Sequence, residues 1–189
     1  MADELEMFAA TDTLTGAMSR RQFLDIAKAE VARSRRYRNS LSCLVIDVDR
    51  VKSIDDELVD AGGDRAAGDL VLQHFVSVCK STLRTPDYIG RIGGQEFAIL
   101  LPETPLLGAF GVAERILANL AAAATDASQY QLTATTSIGV VKYANQTWSL
   151  DQLLQAAGAA MGDAKQNGSN RAVCYLDDLQ LTSVAATVN

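Results

Sequence analysis

Tyr88-Ile89-Gly90-Arg91-Ile92-Gly93-Gly94-Gln95-Glu96-Phe97-Ala98-Ile99-Leu100-Leu101 is the stretch whose reading decides the fold. Two short apolar runs, 88–92 and 97–101, bracket a glycine pair, which is the pattern of a β-hairpin. A hairpin joins antiparallel strands. The apolar residues before and after it recur at helical spacing rather than in alternation. A hairpin set among crossover helices implies one mixed sheet of about five strands flanked by helices, an α+β arrangement of ferredoxin-like type.

Upstream, residues 64–83 read as a helix, preceded by an irregular acidic stretch over 50–63 that ends in Gly62-Gly63. The continuous apolar run 41–48 ends in acids, and its length and its Val and Ile content predict a buried strand. Over 19–38, Phe23, Ile26, Ala27, Val31 and Tyr37 recur at helical spacing with basic residues outward. Downstream, Thr104-Pro105 reads as an N-cap followed by proline at the first helical position, opening a helix to 123. Residues 132–143, rich in Thr, Val and Ile, predict a strand. Ser149 and Gln152 form a capping box with Trp148 stapled onto Leu153, and the helix they start stops at Asn167-Gly168. Residues 172–176 are a final strand. The expected organisation is a lead-in over 1–11 resembling the end of a connecting helix, one domain over 12–176, and a weakly patterned tail over 177–189.

The 189 residues are 48% hydrophobic and 21% charged, ordinary for one soluble α/β domain. A net charge of -6 argues against DNA or RNA as a partner, because no broad basic footprint offsets it. Cys43, Cys79 and Cys174 are widely spaced and odd in number, so they read as buried thiols of a reducing compartment. The start Met1-Ala2-Asp3-Glu4 is acidic where a signal peptide needs positive charge. No run approaches the ~20 apolar residues of a membrane span. A cytoplasmic location without direct membrane contact is expected, including that of the cytosolic part of a tethered protein.

Asp47 and Asp49 lie two apart at the end of the buried run, so they share a face of a strand. Carboxylate oxygens so placed suit Mg²⁺, which takes one or two carboxylates and fills its octahedron with water and substrate phosphate. A strand running into a polar turn carries the same residues. The Gly93-Gly94 pair permits a tight turn and close approach of a phosphate, and also occurs in hairpins that bind nothing. Lys52 and Lys165 can bind phosphate as point charges or stand as solvated surface lysines. His74 has apolar neighbours and no evident partner, so it reads as a packed or surface histidine.

Taken together these residues resemble the GGDEF family, the diguanylate cyclase fold. Asp12-Thr13-Leu14-Thr15-Gly16 with Ser19-Arg20-Arg21-Gln22-Phe23 is similar to D-x-L-T-G-x-x-N-R-R-x-F, with Ser19 at the usual Asn. Asp47-Val48-Asp49-Arg50-Val51-Lys52-Ser53-Ile54-Asp55-Asp56 resembles D-x-D-x-F-K-x-I-N-D, and Arg91-Ile92-Gly93-Gly94-Gln95-Glu96-Phe97 resembles R-x-G-G-[D/E]-E-F. Thr135-Thr136-Ser137-Ile138-Gly139 and Ala164-Lys165-Gln166-Asn167-Gly168-Ser169-Asn170-Arg171 match the later motifs. The ordered motifs span residues 12 to about 175.

The resemblance implies a cyclase palm-type sheet and the condensation of two GTP into cyclic di-GMP between facing domains. Metal, Mg²⁺ or Mn²⁺, would neutralise phosphate charge and help activate the attacking hydroxyl. Asp47, Gln95 and Glu96 would occupy the catalytic positions, with Asp47, the Val48 carbonyl and position 95 at the metal. Lys52, Lys165 and Arg91 would contact phosphate; Asp55 and Asp69 would face the guanine edge. Arg84-Thr85-Pro86-Asp87 is similar to the family's R-x-x-D inhibitory site for cyclic di-GMP. There Arg84 would donate to guanine O6 and N7, and Asp87 would accept from guanine N1 and N2.

Four departures stand against cyclase activity. Gln95 replaces a metal-binding acid with an uncharged amide; losing ~3 kcal/mol at the transition state slows a reaction roughly 100-fold. Asp55 stands where the family has Asn. The loop between Asp56 and Ala66 is longer than usual, with Asp64-Arg65 at the usual Gly-His. Ser169 replaces a basic residue. The sequence therefore implies a degenerate GGDEF domain, impaired as a cyclase, that binds cyclic di-GMP as a receptor or regulator. Two readings remain beside it: an active diguanylate cyclase with product inhibition, and an interaction module that binds no nucleotide. A homodimer, or an attached sensory or effector domain, is the expected partner.

Overall fold

A computed structural model of the chain describes residues 10–49, 66–123, 135–143 and 148–176. Its elements are α1 (Arg20–Tyr37), β1 (Leu41–Asp49), α2 (Ala66–Thr82), β2 (Tyr88–Arg91), β3 (Glu96–Pro102), α3 (Leu106–Ala123), β4 (Thr135–Lys142), α4 (Leu150–Gln166) and β5 (Arg171–Cys174). The strands form one sheet in the order β2-β3-β1-β4-β5. The pairs β2/β3, β3/β1 and β1/β4 are antiparallel, and β4/β5 is parallel. The expected mixed sheet flanked by helices is present, with the hairpin at one edge.

β1 is the central strand, and all nine of its residues are buried. Alternate side chains divide it between two apolar clusters, as the strand period requires. Leu44, Ile46 and Val48 join residues of α2 and α3, where the Phe75 and Phe97 rings lie 4.9 Å apart. Leu41, Cys43 and Val45 join Phe23, Ala27 and Val31 of α1 and Leu153, Ala156 and Ala157 of α4. Burying each large apolar side chain stabilises the fold by about 1.5–3 kcal/mol. Asp47 and Asp49 continue the second row, beyond the point where apolar packing ends.

The helix starts follow local chemistry. Ser19 Oγ accepts from Gln22 N and caps α1, while Arg35 and Arg36 complement the carbonyl end of its dipole. At α4 the capping box is complete: Ser149 Oγ accepts from Gln152 N, and the Gln152 side chain accepts from Ser149 N. Trp148 and Leu153 join the same apolar cluster. α4 crosses β4 closely, because a Cβ on Gly139 would stand 1.9 Å from Ala157 O and 2.3 Å from Met161 N. Only glycine fits there.

One expectation changes. α3 begins at Leu106, with Ala109 N donating to Pro105 O. The Thr104 hydroxyl does not cap it; it donates to Pro102 O and accepts from Arg84 Nη2, because the turn brings those groups nearer than the helix amides. The helix is also long and apolar enough to cross a membrane by composition alone. Here Leu106, Ala109, Val112, Ala113, Ile116 and Leu120 pack it onto the sheet. The chain does turn at the glycine pair: Ile92 N and Gly93 N both donate to Glu96 O and close the loop between β2 and β3, with neither glycine at positive φ. A Cβ on Gly93 would lie 2.8 Å from Glu96 Oε2, while Gly94 faces open space. Lys52, Asp55, Asp56 and the whole of the long acidic loop lie outside the described residues.

Candidate functional site

At one end of β3, register aligns four polar side chains. Glu96 pairs with Asp47, Asp47 with Ser137, and Ser137 with Arg171 across β3-β1-β4-β5. Directly paired residues present their side chains on one face. The backbone of Gln95 is tied to the same edge, since Val48 N donates to Gln95 O at 3.0 Å. Sheet pairing thus brings together Asp47, Val48, Gln95 and Glu96, which are far apart in the chain.

Asp47 is the unusual member. Its side chain is 5% exposed, and Oδ2 takes the Lys165 ammonium at 2.9 Å. Among the described residues, its buried Oδ1 has no hydrogen-bond partner. An unpartnered buried carboxylate oxygen is costly, and a cation supplies what it lacks. Asp49 is fully engaged instead, accepting from Thr135 Oγ1 at 3.2 Å and from Ser137 Oγ at 3.1 Å. Burial, reinforced by the Asp47 charge, pushes the Asp49 carboxyl above its ordinary value of 3.8, against the pull of both hydroxyls and of Lys165.

Among the described residues no cluster of three or more His, Cys, Asp and Glu suits a metal. A closed all-protein cage is therefore absent there. The open Asp47 oxygen beside Glu96 fits Mg²⁺ or Mn²⁺ of the kind that takes few protein ligands and completes its shell from water and phosphate. Gln95 contributes no charge to it.

Arg91, expected at phosphate, is braced within the protein. Its Nη1 reaches both Asp12 oxygens at 3.2 Å, and its Nη2 and Nε donate to Gly94 O at 2.6 and 3.0 Å. Burial raises the Asp12 carboxyl, but hydrogen bonds from Thr15 and the Arg91 charge outweigh it and hold the group below 3.8. Arg91 thereby ties the start of the domain to the glycine hairpin.

At the opposite end of β3 stands the Arg84–Asp87 turn. Arg84 N donates to Asp87 Oδ2 at 2.9 Å, and Nη2 meets Asp87 Oδ1 at 3.3 Å and Thr104 Oγ1 at 2.8 Å. The Asp87 side chain is 1% exposed, while Arg84 is 58% exposed. Asp87 therefore aims Arg84 rather than presenting its own oxygens to solvent. A cleft of about 500 Å³ opens beside the pair, lined also by Thr11, Met18, Lys80 and Tyr88. Sequence reasoning missed these lining residues and the Thr104 contact, which no local pattern marks. Asp69 is exposed in the first turn of α2, and His74 is exposed on the same helix.

The family model described as diguanylate cyclase, GGDEF domain, matches residues 9–171. The chain belongs to the GGDEF-domain family. It is 32% identical over 172 residues to diguanylate cyclase DgcS of Shewanella oneidensis, covering 91% of this chain and 54% of that protein. This GGDEF domain spans about half the length, or less, of such relatives. It resembles the crystal structure of diguanylate cyclase SiaD in complex with its activator SiaC from Pseudomonas aeruginosa. There the identity is 32% and the TM-score 0.78, covering 92% of this chain and 64% of that one. It also resembles a microbial GGDEF domain solved for its mode of interaction with bis-(3′,5′)-cyclic di-GMP. That match has 26% identity and a TM-score of 0.71, covering 90% of this chain and 99% of that one.

Proposed function

We propose that this GGDEF domain is a cyclic di-GMP-binding regulatory domain, impaired as a diguanylate cyclase. The observation that carries the reading is Arg84: its guanidinium is aimed by a buried carboxylate and a threonine hydroxyl, yet the side chain is exposed and lines a cleft. A pre-aimed guanidinium loses little freedom when it donates two parallel hydrogen bonds to guanine O6 and N7. Pro86 stiffens the same turn.

Impairment follows from charge at the other end. Asp47, Glu96, the Val48 carbonyl and the Gln95 amide would hold Mg²⁺ or Mn²⁺, which would neutralise phosphate charge and help activate the attacking hydroxyl. Gln95 supplies an oxygen but no charge and accepts no proton. Lys165 and Lys52 would contact the polyphosphate, and Asp69 with Asp55 the guanine. We place the domain in the cytoplasm, free or tethered, acting as a homodimer or beside a sensory or effector domain.

A slow cyclase is the second reading, favoured by the open Asp47 oxygen in register with Glu96. Calorimetric titration with cyclic di-GMP tests the first. Micromolar or tighter binding that Arg84→Ala removes is expected. A folded, unaltered domain that gives no heat overturns it.

A further inference from the structure

We infer that Lys165 is a resident counter-ion that closes the Asp47 carboxylate to free divalent cations until a polyphosphate draws it away. The inference rests on the reading of Asp47 as the metal-facing carboxylate and is independent of Arg84.

The Asp47 side chain is almost wholly buried at the end of β1, and the Lys165 ammonium lies 2.9 Å from Oδ2. A buried carboxylate whose partner is removed is left as an uncompensated charge, so the lysine answers a real need of the folded state. The neighbouring polar groups do not replace it. Ser137 and Thr135 turn their hydroxyls to Asp49, and Oδ1 of Asp47 remains without a partner. The lysine is delivered by packing. It sits in the last turn of α4, a helix fixed by its capping box and by the close crossing at Gly139.

A divalent cation binding the same carboxylate meets this ammonium as a like charge. Asp47 and Glu96 bring two negative charges to the row, Arg171 at its β5 end brings one positive charge, and Lys165 adds a second beside Asp47. An acid at position 95 would tip this balance toward a cation; Gln95 does not. A polyphosphate changes the competition, because the flexible lysine stem lets the ammonium move from Oδ2 to a phosphate oxygen. Metal occupancy then depends on nucleotide arriving with the metal.

The test leaves nucleotide out and uses Mn²⁺ as the probe. Free Mn²⁺ is followed by electron paramagnetic resonance, and thermal unfolding is recorded on the same samples. Lys165→Met is expected to bind Mn²⁺ about tenfold or more tightly than the unaltered domain. It should also melt lower without metal and gain more from Mn²⁺. Adding Asp47→Asn to Lys165→Met should abolish both effects. Equal Mn²⁺ response in the unaltered domain and Lys165→Met overturns the inference. If Lys165→Met does not fold alone, refolding in Mn²⁺ is the expected rescue, and failure to refold there overturns it equally. Cyclic di-GMP titrated into the same proteins reads Arg84 separately, so failure of that site is not confused with failure here.

Discussion

The two ends of β3 make opposite arrangements out of the same residue types. At the Glu96 end a buried carboxylate keeps one oxygen without a partner and shares the other with a lysine. At the Pro102 end a buried carboxylate is satisfied by the very arginine it aims outward. At ~3.3 Å per residue the length of β3 puts roughly 20 Å between them. Among the described residues the first end leaves one carboxylate oxygen open; the second is complete and presents a charge. Within one sheet, burial makes a carboxylate either a ligand in waiting or a positioning group, according to whether its partners come from the protein.

Residues 11–18 lie between these ends. Thr11 and Met18 line the cleft beside Arg84, and Asp12 holds Arg91, which holds Gly94 of the hairpin.

Substitutions can break this comparison one end at a time. The largest expected effect is at Gly139. Gly139→Ala puts a methyl group into the backbone of α4, and overpacking of this kind costs about 1–3 kcal/mol. Thermal unfolding should show it, with Lys165 displaced and the metal end impaired while cyclic di-GMP binding survives. Next, Thr104→Val removes the hydroxyl that accepts from Arg84. A lost hydrogen bond of about 1 kcal/mol should weaken cyclic di-GMP roughly fivefold by calorimetry without unfolding the domain.

The smallest effect is at Asp12. Its folded carboxyl titrates below 3.8, so the stabilisation it gives is whole at neutral pH and is lost as pH falls through the folded value. Asp12→Asn should lower the melting temperature near pH 7 and narrow the gap to the unaltered domain below pH 4. A constant gap across pH would show that Arg91 does not depend on the Asp12 charge. The raised Asp49 carboxyl acts with the opposite sign, since its folded form gains protons more readily than the unfolded chain.

Much of the fold was legible because its signals are local. The hairpin runs, the helical spacing over 19–38 and the Ser149–Gln152 box each act within a few residues, and the structure uses all three. The motif string identified the family for the same reason. What was not legible depends on pairing between distant segments. Nothing near Asp47 in sequence announces Lys165, and nothing near Arg84 announces Thr104. The glycine pair was legible as a turn, but that Gly93 also leaves room for Glu96 was not. Thr104 was misread because a nearer carbonyl and an arginine claimed its hydroxyl.

The central claim is that charge missing at position 95 separates a weak synthetic end from a competent binding end. Incubating the unaltered domain and Gln95→Glu, each first confirmed as a dimer, with GTP and Mg²⁺, and following cyclic di-GMP by chromatography, tests it most directly. The account predicts that Gln95→Glu turns over about 100-fold faster, equivalent to ~3 kcal/mol at the transition state. Brisk turnover by the unaltered domain, unchanged by Gln95→Glu, would contradict it.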